Sequence, residues 1–84
     1  MEVIMFKRRL GPDPHAQGRI STGANGCPDI WELDNGSIAI IGIDQTALLK
    51  THLPSSASCG PDERIVVVPR QILSAAKPDI PDLA

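Results

Sequence analysis

The sequence predicts an α+β fold: a small three- or four-stranded sheet with an Asn-Gly hairpin and two short helices packed on one face. Three observations lead there. Apolar runs flank Asp34-Asn35-Gly36, the stretch QTALLKTHL supplies helix formers, and RIVVV runs into a proline followed by a second helix-forming stretch.

Val3 to Arg8 reads as the first strand, β-branched and aromatic, with Lys7 to Arg9 marking its polar end. The segment GPDPHAQGRISTGANG then offers almost nothing to bury and reads as a flexible loop over 10–26. Asn-Gly between apolar runs fits a two-residue type I′ turn, which needs φ > 0 at both positions. With Asn35 and Gly36 as that loop, Leu33 faces Ile38, Glu32 faces Ala39, Trp31 faces Ile40 and Ile30 faces Ile41. Trp31, Leu33, Ile38 and Ile40 then share an apolar side expected to be core, and Ile30, Glu32 and Ile41 fall on the opposite, mixed side. Ile38 to Ile43 is too apolar for a half-exposed strand and is expected at the centre of the sheet, with Gly42 at a bulge or a close backbone approach.

Asp44 is a good N-cap for a helix over about 45–52, which Pro54 ends. Arg64 to Val68 reads as an interior strand, and Pro69 suits the first turn of a second helix running to about Lys77 with Ile72, Leu73, Ala75 and Ala76 inward. A strand, helix, strand order predicts a right-handed crossover with 38–43 and 64–68 parallel. Pro78 and Pro81 make 78–84 an extended tail. The 84 residues form one small domain, 1–84, whose core must be aliphatic because Phe and Trp occur once each and Tyr is absent.

Charge narrows the partners. A net charge of −2 and a pI near 5.5 argue against binding nucleic acid through bulk positive charge. Lys7, Arg8, Arg9 and Arg19 nevertheless outweigh Glu2 and Asp13 in the first 24 residues, which makes the N-terminal arm basic. The apolar run near the start is short and its charges follow it, so a cytoplasmic chain without a signal peptide or membrane span is expected.

Cys27 and Cys59, with His15 and His52, are of the right type to bind metal, but their spacing matches no compact knuckle. The parallel crossover would also place the two cysteines at opposite ends of the sheet, too far apart for a disulfide. Five Pro-Asp pairs, at 12–13, 28–29, 61–62, 78–79 and 81–82, read as turn punctuation. No nucleophile has an adjacent base except Ser55, Ser56 and Ser58 near His52, and the glycines of GANG lead into a strand, which is wrong for cradling phosphate.

The segment RIVVVPRQIL is similar to the strand, proline, helix segment of swapped-hairpin transcription regulators and antitoxins. That resemblance implies a dimeric DNA-binding regulator with basic residues on the DNA face; here Arg64 and Arg70 are the basic residues nearby. GCPDIWELDNGSIAIIGID and SCGPDERIVVVPRQILSAAKPDIPDL resemble small actinobacterial proteins of unknown activity associated with helix-turn-helix regulators. This second resemblance covers 26–83 and implies an accessory or regulatory protein.

The expected function is a non-enzymatic protein-interaction or regulatory accessory module without a cofactor, binding a protein partner and able to form a homodimer. Lys7, Arg8 and Arg9 are the candidate charged contact, and Ile30, Glu32 and Ile41 the candidate sheet surface. The alternatives are a dimeric DNA-binding regulator or antitoxin, and a metal-binding protein using Cys27 and Cys59.

Overall fold

The computed structural model describes residues 3–13 and 27–82. Most of the expected loop, including His15, lies outside the described residues. The fold is a small α+β arrangement of a three-stranded antiparallel sheet, a two-stranded sheet and two short helices. The larger sheet has the order β1 (Phe6–Arg9), β2 (Asp29–Leu33), β3 (Ile38–Ile41). The smaller pairs β4 (Ile43–Asp44) with β5 (Val66–Val67). Between them runs α1 (Thr46–Leu49), continued as a 3-10 turn over Lys50–His52, and α2 (Arg70–Ala76) follows β5 and continues into Lys77–Asp79.

The hairpin joining β2 to β3 does not close as the two-residue turn the sequence suggests. Gly36 N–H donates to the Leu33 carbonyl at 3.0 Å, and Leu33 N–H to the Ser37 carbonyl at 2.9 Å, so Asp34, Asn35 and Gly36 form a three-residue reversal. Gly36, at φ +88°, takes a left-handed conformation there. The extra loop residue slips the register by one: Trp31 faces Ala39, Ile30 faces Ile40 and Glu32 faces Ile38.

Because side chains alternate across a strand, that slip inverts the faces. Ile30 is the most buried large side chain, 1% exposed, and packs with Leu10 and Ala76, against which Ile72 of α2 also rests. Trp31 and Leu33 lie on the other side and are half-buried. The expected core of Trp31, Leu33, Ile38 and Ile40 is therefore corrected: those four residues are split between two faces, and Ile38 and Ile40 are exposed. Leu73 of α2 also faces outward, while Ala76 is fully buried.

Three further expectations give way. The strand at 38–41 is an edge strand of its sheet, not its centre, and β5 is an exposed strand, not an interior one. β4 and β5 are antiparallel, pairing Ile43 with Val67 and Asp44 with Val66, so there is no parallel crossover. The chain leaves β4 through α1 and returns alongside it in the opposite direction. The close approach expected at Gly42 is present, since a Cβ there would lie 2.8 Å from the Val67 carbonyl oxygen.

The ends of the described chain are tied together. Leu10 N–H donates to the Ile30 carbonyl at 2.8 Å, and Gly11, at φ +83°, passes so close to α2 that a Cβ would sit 3.2 Å from the Ala75 and Ala76 backbone. Gly11 N–H then reaches a carboxylate oxygen of Asp79 at 2.8 Å. Residues 10 and 11 are thus packed, not part of a loose loop, and 77–79 form a docked 3-10 turn where an extended tail was expected.

Candidate functional site

The basic stretch of β1 holds the sheet together from within. Arg8 Nε lies 2.9 Å from Glu32 Oε1, and its Nη2 donates to the Asp79 carbonyl at 2.6 Å. Arg9 Nε meets both oxygens of Asp29 at 3.1 Å, and its guanidinium lies 4.6 Å from the centre of the Trp31 ring. Asp13 adds a looser ion pair to Arg9 at 3.6 Å. The hydrogen bond to Asp29 raises the Arg9 pKa above its ordinary value, aided by the charges of Asp29 and Asp13 and opposed by partial burial. A bulge between Phe6 and Arg8 leaves Lys7 exposed.

The reason for this placement is electrostatic. Asp29 and Glu32 are buried at 9% and 8% exposure, and a buried carboxylate costs several kcal/mol unless it is paired and hydrogen-bonded. The arginines of the neighbouring strand supply those partners. Trp31 Nε1 donates to Asp29 at 2.9 Å, and Phe6 meets the Trp31 ring edge-on with centroids 5.5 Å apart.

The candidate contact residues therefore separate. Lys7 is exposed, whereas Arg8 and Arg9 are engaged with Glu32 and Asp29. Ile30 and Glu32 are buried and form no open sheet surface; the one-residue slip places Ile30 toward α2 and Glu32 against Arg8. Ile41 is exposed.

What the sequence reading missed is the outer edge of β3. Leu33 bonds to Ser37, so residues 37, 39 and 41 turn their backbone groups toward β2. Ile38 and Ile40 consequently point their N–H and C=O groups away from the sheet, and β3 has no strand on that side among the described residues. Their side chains are 40% and 46% exposed, which marks this edge as unprotected on both counts. The available signal was the run Ser37 to Ile43, which contains no charge and no proline. Such runs are avoided on solvent-facing edges because they invite pairing.

Where the two sheets meet, Cys27, Pro28, Ile41, Ile43, Val67 and Pro69 line an apolar hollow of about 200 Å³. Pockets for drug-sized ligands and cofactors run to roughly 300–1,000 Å³, so this hollow suits a single inserted side chain better. Of its lining residues, Ile41, Ile43 and Val67 are exposed.

Among the described residues no group of three or more His, Cys, Asp or Glu is placed to hold a metal ion, and no disulfide joins Cys27 to Cys59. The Cys59 thiol donates to the Glu63 carbonyl at 3.4 Å within its own loop. No helix of the described residues is long and apolar enough to cross a membrane. Compared with known protein families, characterised proteins and solved structures, the chain has no significant match.

Proposed function

We propose that this chain is a non-enzymatic protein-interaction module that docks through the open edge of β3 and the apolar surface around it. One observation carries the reading. Among the described residues only Leu10, Ile30 and Ala76 form a buried apolar core, while Ile38, Ile40, Ile41, Ile43, Val66 and Val67 of the strands remain exposed. Full burial of a wholly exposed Val or Ile side chain is worth roughly 1.5–3 kcal/mol, and these are already about half-covered, so each stands to gain about 1 kcal/mol and a partner covering several of them is favoured. An extended segment added to β3 would satisfy its outward backbone groups as well.

A DNA-binding regulator draws less support, because Arg8 and Arg9 already face carboxylates. The charged contact in the interaction reading reduces to Lys7 and serves as a rim.

The test is affinity purification from the source cell with three baits: the wild type, Ile40→Lys and Lys7→Ala, with bound proteins identified. A protein held by wild type, lost with a folded Ile40→Lys and retained by Lys7→Ala supports the apolar edge. Identical sets from all three baits reject it.

A further inference from the structure

The outer edge of β3 also identifies its occupant by chemistry, and this step rests on the interaction reading above. We propose that β3 pairs antiparallel with β3 of a second copy of this chain, across a two-fold axis passing between the two Ala39 residues.

The backbone is the first argument. Ile38 and Ile40 each turn one donor and one acceptor outward. With Ala39 opposite its own copy, Ile38 of each chain stands opposite Ile40 of the other, and both are outward-facing positions. Four hydrogen bonds form and every outward group of Ile38 and Ile40 is used. A register centred on Ile40 would instead need Gly42, which lies beyond the end of β3.

Side-chain size is the second argument. Residues at a non-hydrogen-bonded pair approach most closely, with Cα atoms about 4.5 Å apart. In the proposed register this pair is Ala39 with itself, the smallest side chain of the strand. On the opposite face Ile38 and Ile40 alternate with Ile40 and Ile38 of the other copy, a β-branched row that removes four exposed isoleucines from water. The interface is the same patch on both chains, as a two-fold dimer requires.

Charge agrees with this arrangement. Positions 35–43 carry no charged residue, so no like charges meet along the strand. Four ladder bonds and a few isoleucines are less than the about 800 Å² per partner of a standard interface, so the dissociation constant is expected on the order of micromolar.

Sedimentation equilibrium of the full chain over roughly 1–100 μM tests this. The wild type is expected to pass from a mass of 9.0 kDa to twice that value. Ile38→Lys and Ile40→Lys, checked for an unchanged circular dichroism spectrum, should weaken the dimer at least tenfold, and Leu48→Lys, an exposed position on α1, should not. With Cys27→Ser and Cys59→Ser as background, Ala39→Cys should give a disulfide-linked dimer under mild oxidation, and Ser37→Cys should not. A wild type that stays monomeric throughout, or an Ala39→Cys variant that dimerises without cross-linking, overturns the proposal. If that monomer retains another protein that Ile40→Lys loses, the interaction reading stands and only self-pairing is wrong. If the retained set is the same for every bait, both fall.

Discussion

Asp29 accepts hydrogen bonds from Arg9 Nε, Trp31 Nε1 and the Ile30 amide, so Asp29→Ala leaves three donors short of a partner at once. Arg9 is partly exposed and recovers some of its loss from water, which puts the expected cost at about 2–3 kcal/mol. The Asp13 carboxylate pairs with the same arginine at 3.6 Å and is exposed, so Asp13→Ala should change stability by about 0.5 kcal/mol or less. Urea midpoints of the two variants decide between them. A second residue links stability to pH. The Thr46 hydroxyl, donating to Asp44 Oδ1 at 2.6 Å, holds the Asp44 pKa below its ordinary value, with help from the Thr46 amide and, less, from Arg64, and against desolvation. A depressed carboxylate stabilises the fold above its unfolded pKa, and the contribution disappears as pH falls through the lowered folded value. Thr46→Val should bring the Asp44 titration, followed by NMR of its carboxyl carbon, back toward the usual aspartate range. The same hydroxyl oxygen accepts from the Ile65 amide at 2.7 Å, so this variant also loosens the approach to β5.

At the level of elements, two glycines do different work. A Cβ at Gly42 would lie 2.8 Å from both the Val67 carbonyl oxygen and Val68 Cγ1, and backbone on that side cannot move without opening the β4–β5 pair. Gly36 has open space around it, so an added Cβ there is penalised by the positive φ alone, at about 1 kcal/mol. Gly42→Ala is expected to cost about 1–3 kcal/mol and to strip hydrogen-exchange protection from the Gln45 amide, which bonds to the Ile65 carbonyl at 2.8 Å. Gly36→Ala should leave that amide protected. The elements themselves were largely legible: both helices lie where the residue pattern placed them, Pro69 stands at the entry to α2, and the chain reverses at Asp34 to Gly36. Register was not legible. A two-residue turn and a three-residue reversal draw on the same Asp-Asn-Gly chemistry, and the difference of one residue exchanges the two faces of β2.

For the molecule as a whole, the described core is so small that a single residue at its centre dominates. Ile30→Ala removes the side chain against which Leu10 and Ala76 pack, at an expected cost of about 2–5 kcal/mol. Domains this size hold only a few kcal/mol of net stability, so a thermal melt of this variant should lose its cooperative transition. Ile41→Ala, at an exposed position on the other face of the sheet, should keep it. The sequence by itself determined which stretches become helices and strands, where the chain turns, and that its interior is aliphatic, because these follow from preferences acting over a few neighbouring residues. Only the tertiary structure decided that Ile30 and not Trp31 faces α2, that the arginines of β1 answer buried carboxylates, and that the most apolar strand lies at an edge. Those outcomes depend on distant segments meeting: a buried charge must find its counter-ion wherever the fold brings one, and a strand's position in a sheet is set by which other strands reach it.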